Sequence, residues 1–563
     1  MFVRTTKVKQ KAGVVEFVQL VHNVRHPKTG VPTPQIIHHF GRKDQLDLDA
    51  LRRLIKSISR LLGPDGEAAA RVLPGEEPEF EFLGSRQLGG TQLLDGLWKR
   101  LGIDEVITGA LERRDFTRPM ERLLFAMVAN RALAPGSKLA MENWVAEAAH
   151  VPELPAVEVH QLYGAMDFLL EAQEELQKAV FFNVATLLNL EVDIIFLDTT
   201  STYFEVENED EPGDERLNLR RRGYSKDNHP ELAQVVVGFA VTREGIPVRC
   251  WVWPGNTGDQ SVIDEVKRDL NGWKLGRVMV VADAGFNSEK NRRLLQCAGG
   301  HYILGEKLRP GSAGAPAEAL SRSGRFRTLD NGLEIKEVTI GGDGAKARRY
   351  VIVRNPEEVR RDRAKRDDIV AEVEWRLAEL KNLADVPHEK AACALRSHHV
   401  YGRYVTQTPT GRLTLNRDKI KTEELVDGKF LVSSSDDTLS AEDIVLGYKA
   451  LWRVERAFRD LKHVLDIRPV YHRLSDRIRA HVLLCWLALL LVRVAENETG
   501  QTWGHLRRVL DRLQVGIHQT RHGEVWQTSR MDKELTELFE TLKIKAPHRF
   551  LAIPRPLKDP PSL

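Results

Sequence analysis

The stretch "EVDIIFLDTTSTYFE", residues 191–205, begins with a β-branched and apolar run that stops at an aspartate. Such a run reads as a buried strand, and Asp198 at its end has to leave the apolar layer at the rim of a sheet. The residues before it differ in character. From about Gly89 to Leu190 the pattern is helical, as in "TQLLDGLWKRLG" and "PMERLLFAMVANRAL". The residues after it continue the sheet: "AQVVVGFAV" and "IPVRCWVWPGN" read as two more strands, the second ending in a Pro-Gly turn. A helix "DQSVIDEVKRDL", with Asp259 as its cap, leads to the strand "GRVMVVADAGF", the helix "SEKNRRLLQCA" and the strand "HYILGEK". Three consecutive strands, then helix, strand, helix, strand, predict an α/β core: a mixed sheet with helices packed on it. Asp283 ends the fourth strand as Asp198 ends the first.

Outside this core the chain divides by pattern. Residues 1–75 read as an α+β module, with "VVEFVQLVHNV" and "QIIHHFG" followed by a helix closed at Gly63 and Pro64. The linker "LPGEEPEFE" leads into an all-α region, 76–190, a candidate for DNA binding. The core occupies 191–307, a β-rich block with the look of an insertion 308–440, the rest of the core 441–500, and a basic tail 501–563. Within the β-rich block a helix from 357 to 383 has a clear start, with Asn355 as cap and Pro356 in first position.

The 563 residues are 42% hydrophobic and 29% charged, which describes a globular chain with ample core. A net charge of +3 means that a nucleic-acid partner has to be met by local basic patches, of which "RLNLRRRG" (216–223) and "RRDRAKR" (360–366) are the clearest. The second alternates with acids and reads as a solvated helix face. Cys250, Cys297, Cys393 and Cys485 stand far apart, which suggests neither a zinc ribbon nor a disulfide framework and fits a reducing compartment. "MFVRTTKVKQKAG" lacks the apolar stretch of a signal peptide, and the apolar run Val482–Val492 is short for a bilayer and reads as a buried helix. The expected location is cytoplasmic, with no membrane partner.

One further acid stands out. "YKALWRVERAFRDLK" (448–462) reads as a single amphipathic helix, with Tyr448, Glu455 and Lys462 seven residues apart on one stripe. Most helical glutamates pair with a basic residue at i+4, here Arg459. Strand-end aspartates are likewise often turn or cap residues, and Asp259 in "GNTGDQ" reads as such a case. Together, however, Asp198, Asp283 and Glu455 are a carboxylate set of the kind that binds two Mg²⁺ or Mn²⁺ ions about 3.5–4 Å apart for in-line displacement at phosphorus.

The run "LDTTSTYFE … RRRGYSKDNHPELAQVVVGFAVTREGIPVRCWVWPGNTGD … VVADAGF … YKALWRVERAFRDLK" resembles the DDE-type transposases of bacterial insertion sequences, in the group with a tyrosine–arginine–glutamate–lysine signature helix. The resemblance covers roughly residues 190–305 and 425–495. It implies an RNase H-like, retroviral-integrase-like core interrupted by a β-rich insertion. Asp198, Asp283 and Glu455 become the catalytic and metal-binding acids, holding two Mg²⁺ or Mn²⁺ ions. Tyr448 and Lys462 match the signature tyrosine and lysine. The signature arginine is the departure: its place is Leu451, and Arg453 lies about 200° further round a continuous helix. Tyr448, Lys462, Arg459, Lys226 and Arg222 are the expected DNA contacts, the last two from the loop "GYSKD" and the residues before it.

The function implied is cut-and-paste transposition. The protein would bind terminal inverted repeats as a homodimer in the synaptic complex, cleave with water as nucleophile and join the 3′-OH to target double-stranded DNA, on the nucleoid of a bacterium. Two other readings stand beside it: a simple metal-dependent nuclease on the same fold, and a domesticated DNA-binding protein without catalysis. The helical region and the insertion exceed what hydrolysis requires, and three intact acids exceed what binding requires.

Overall fold

The computed structural model describes the chain except residues 1, 11–12, 26–31, 62–80, 115–118, 191, 206–207, 212–216, 309–314, 342–346, 384, 521–522 and 553–563. Most of the linker "LPGEEPEFE", the helix stop at Gly63 and Pro64, and the last eleven residues therefore lie outside the described residues. The chain forms two compact units: Met1–Ser85 with Gln514–Arg530 and Pro547–Leu563, and Arg86–Leu513 with Met531–Ala546.

The first unit begins with an antiparallel three-stranded sheet, Phe2–Gln10, Gly13–Arg25 and Pro32–Arg42, followed by the helix Leu48–Leu61. This is the α+β module read from the sequence. It has additional strands, because Phe550–Ala552, Gly523–Thr528, Gln514–Thr520 and Glu81–Gln87 make a four-stranded sheet in that order. The residues expected as a tail thus return to structure, and the region expected as all-α begins with a strand.

The second unit is built on a nine-stranded mixed sheet. Its strands in chain order are β1 (Ile194–Tyr203), β2 (Gln234–Val241), β3 (Pro247–Pro254), β4 (Met279–Ala282), β5 (His301–Glu306), β6 (Arg327–Thr328), β7 (Glu334–Ile340), β8 (Arg348–Arg354) and β9 (Lys429–Ser434). Across the sheet the order is β6-β7-β8-β9-β5-β4-β1-β2-β3. β1, β2 and β3 form an antiparallel meander, while β4 runs parallel to β1 and β5 parallel to β4. The β-rich block is therefore not a separate module: β6 to β9 extend the core sheet with antiparallel pairing from β5 outward, and the helices Pro356–Leu380 and Asp385–Ser397 interrupt them. Asn355 caps the first of these helices, accepting the Glu357 N–H at 3.1 Å, as its sequence predicts.

One face of the sheet is packed by Ile195, Leu197, Val236, Trp251, Trp253, Val280 and Leu304 against Phe181, Ile263, Val266, Leu270, Trp273 and Leu295 from the covering helices. Each such side chain taken fully out of water contributes about 1.5–3 kcal/mol. The opposite face carries the helices that complete the site: α1 (Ala441–Lys449), α2 (Trp452–His463) and α3 (Ser475–Thr499). α3 contains the apolar run and is long and apolar enough to cross a membrane, but 94% of its most apolar window is buried inside the protein. Buried Arg493 on α3 pairs with Asp460 of α2 at 2.5 Å and with Glu496 at 2.7 Å, and Arg456 of α2 joins Glu496 at 2.9 Å. This network fixes α2 on α3, whose apolar run is buried as its sequence predicts.

Lys138, at the start of the helix Lys138–Asn143, is 4% exposed and has no acidic partner among the described residues. Burial, with Arg131 nearby, pulls its pKa down to about 7. A folded-state value below the unfolded one makes a penalty that is complete below pH 7, shrinks as pH rises and vanishes above the unfolded value. Lys138→Met is expected to stabilise the protein by on the order of 4 kcal/mol at pH 7 and roughly half as much at pH 9. Thermal melts at both values check it, and an equal or larger gain at pH 9 would contradict the assignment.

Candidate active site

Register brings the two aspartates together. Leu197 of β1 is level with Ala282 of the parallel β4, so Asp198 and Asp283 follow at the same height where that pairing ends. Asp283 is exposed just beyond β4, whereas Asp198 stands within β1, which runs five residues further beside β2. The next strand is level too: Ala282 faces Leu304 of β5, which places Gly305 beside Asp283.

Strand alternation then brings the glutamate to the right face. Asp198 is directly opposite Phe239 of β2, so both side chains share one face. Phe239 stacks on Phe458 of α2, ring centroids 5.3 Å apart, and Glu455 lies one turn before Phe458 on the exposed side of that helix. The helix read as continuous from 448 to 462 is in fact two. α1 ends at Lys449, the Leu451 N–H reaches back to the Tyr448 carbonyl at 3.1 Å, and α2 starts at Trp452. Tyr448 and Glu455 are therefore on different helices rather than one stripe.

Tyr448 reaches the acids from its own helix. Its ring stacks on Phe430 at 5.8 Å, and its hydroxyl packs against Gly305, where a side chain would overlap it. Burial pushes the phenol up to about 12, and Asp283, Glu455 and Glu306 add to the shift, so it stands among these acids as a neutral donor.

The loop "GYSKD" is pinned beside β2. Arg221 and Gln234 exchange backbone hydrogen bonds at 3.0 Å, Gln234 Nε2 donates to the Tyr224 and Gly255 carbonyls, and Gly223 and Gly255 leave no space for side chains. The Lys226 N–H then donates to Ser201 Oγ at 2.8 Å. Its ammonium turns inward, 2.8 Å from both the carbonyl and Oγ1 of Thr199, 3.6 Å from Asp198 Oδ1 and 3.4 Å from Asp259 Oδ2. Burial raises Asp198 to about 6, with Lys226 and the Thr199 N–H opposing and Asp283 and Asp259 reinforcing.

Lys462 is largely buried and already holds an acidic partner. Its ammonium donates to Asp227 Oδ1 at 2.7 Å, with the two side chains only 11% and 15% exposed, and Arg468 approaches the other oxygen at 3.3 Å. Arg459 is exposed on α2, Arg453 lies over the Trp452 ring at 5.2 Å, and exposed Arg222 sits beside Glu209. Sequence reasoning missed Asp259, whose side chain reaches the site through Thr199 and Lys226, and Asp227, which holds Lys462 and Arg468 beside the loop that carries Lys226.

Residues 220–491 match the family model described as the transposase DDE domain, and residues 3–69 match the N-terminal domain of IS1634 family transposases. The chain belongs to the DDE transposases of insertion sequences. It is accordingly a DNA-cleaving and strand-transferring enzyme. The first match contains Asp259, Asp283, Tyr448, Glu455 and Lys462 and begins after Asp198. None of the curated proteins compared with the transposase matches it. Among solved structures, the cryo-EM structure of a piggyBac transposase synaptic complex with hairpin DNA is similar at 11% identity and a TM-score of 0.34, over 74% of this chain and 79% of that one.

DDE transposase domains use divalent metal ions, and the donors here are the hard carboxylate oxygens that such ions take. Among the described residues no three His, Cys, Asp or Glu side chains are gathered closely enough to hold one ion. The Lys226 ammonium between Asp198 and Asp259 already answers the negative charge. The acids thus match a cation in donor chemistry and in charge, while in this structure they are not drawn together round a single point.

Proposed function

We propose that this transposase moves its element by cut-and-paste, binding terminal inverted repeats as a homodimer, cleaving at their ends and joining the freed 3′-OH to target DNA in the bacterial cytoplasm. The observation that carries the reading is the shared level of Asp198 and Asp283, with Glu455 brought to the same face through the Phe239–Phe458 stack. The β3-β2-β1-β4-β5 order, a meander followed by two parallel strands, supports an RNase H-like core.

Asp198, Asp283 and Glu455 would hold two Mg²⁺ or Mn²⁺ ions, which when bound supply Lewis-acid activation of the attacking oxygen and stabilisation of the leaving one. Tyr448 keeps its proton beside Asp283 and Glu455 and can donate a hydrogen bond to a phosphate oxygen entering there. Arg459 and Arg222, exposed on α2 and in the loop before Gly223, would supply backbone contacts that position DNA without reading sequence. Lys226 offsets the acids' mutual repulsion, and Lys462 acts through Asp227 by fixing the loop that carries Lys226.

The test is incubation of the full chain with Mg²⁺ and DNA bearing the element's own ends. Cut ends and joined products are expected, and only with those ends. Cleavage of any DNA regardless of ends would indicate a nuclease, and end binding with no cleavage a protein that has lost catalysis.

A further inference from the structure

Asp259 does not cap the helix that follows it. The 3₁₀ turn Asp259–Ser261 has Gly258 at its N-cap and the helix Ile263–Gly272 has Val262, neither with a side-chain cap bond. The carboxylate turns into the site instead. Its Oδ1 accepts the Thr199 hydroxyl at 2.5 Å, and its Oδ2 approaches both Lys226 and the residues after β4. A side-chain carbon at Gly285 would lie 2.7 Å from Asp259 Oδ2 and 2.8 Å from Asp283 Oδ1, so both carboxylates border the space that this glycine leaves open.

We propose that Asp259 is a fourth carboxylate of the divalent-cation site, working beside Asp283, with Lys226 as the tethered counter-charge that holds its place until the cation enters. This rests on the transposase reading of the site. Lys226 is suited to the part: its direct hydrogen bonds go to Thr199, while at 3.4 and 3.6 Å it neutralises Asp259 and Asp198 without closing hydrogen bonds to them. Both acids keep lone pairs for a harder and more strongly charged partner. An aspartate needed only to balance Lys226 would be superfluous beside Asp198, and nothing would require it to approach Asp283, since like charges at that range repel.

The test is Mn²⁺ titration of the full chain without DNA, by calorimetry and by the Mn²⁺ paramagnetic resonance signal. Asp259→Asn is expected to weaken Mn²⁺ binding by about 10–100-fold. Lys226→Met is expected to tighten it, and Lys226→Met/Asp259→Asn to lose that gain; the double variant also removes both charges together, so it tests the idea even if Asp259→Asn alone fails to fold. Unchanged or tighter binding by Asp259→Asn, or a double variant as tight as Lys226→Met, overturns the proposal. Asp283→Asn separates the two levels: if it weakens binding and Asp259→Asn does not, only the fourth carboxylate is lost, whereas unchanged binding in Asp283→Asn removes the transposase reading of the site itself.

Discussion

Strand cleavage falls by on the order of 10³-fold or more when Asp198, Asp283 or Glu455 is replaced by its amide, while binding to the element's ends survives. Asn and Gln keep the shape of the side chain and remove its charge, so the loss reports the charge. Asp198→Asn tests the most enclosed of the three, since this residue sits within β1 and shares Lys226 with Asp259. Glu455→Gln tests whether α2 delivers its exposed acid to the site. Cleavage of end-bearing DNA in Mg²⁺, run beside a gel-shift assay, checks all three; substantial cutting by any one variant would take that residue out of the chemistry.

The second large effect lies away from the acids. Lys462 and Arg468 share Asp227, and the Lys462–Asp227 pair is largely out of water. Breaking a buried pair by deleting one partner leaves the other charge uncompensated, at a cost of about 3–5 kcal/mol. Asp227→Ala is expected to cost the most, because it leaves two cations facing each other. Lys462→Ala is expected to cost less, because Asp227 keeps Arg468, and Lys462→Met/Asp227→Asn less again. A phosphate contact by Lys462 predicts something else: a salt dependence of end binding shallower by about one unit of log–log slope and an unchanged melting temperature. The structure favours a lowered melting temperature and an unchanged slope. Salt titration beside a thermal melt distinguishes the two outcomes.

Much of the site was legible because it is written in local signals. An apolar run that stops at an acid marks a strand end wherever it occurs, and Asp198 and Asp283 needed only the parallel pairing of β1 and β4 to meet. What the sequence hid depends on contacts made at a distance. The break at Ala450–Leu451 carries no glycine or proline, so periodicity runs through it undisturbed. Asp259 has the neighbours of a helix cap, and only the fold shows its side chain bonded to Thr199 instead. Lys462 shares the helix face expected to meet DNA, yet its partner is Asp227 in a loop 235 residues away. The strands from 308 to 440 look like an independent block because edge pairing between β9 and β5 leaves no trace in composition.

That pairing also fixes a schedule. Ser433 of β9 bonds the Leu304 carbonyl of β5 across 129 residues, and only beyond β9 does the chain reach α2 and Glu455. A chain emerging from the ribosome carries both aspartates long before it carries Glu455, and the strand that precedes that acid joins the sheet only through a long-range pairing of the kind that forms slowly. Unfinished copies that stop short of α2 lack Glu455, one of the three acids proposed for the cut.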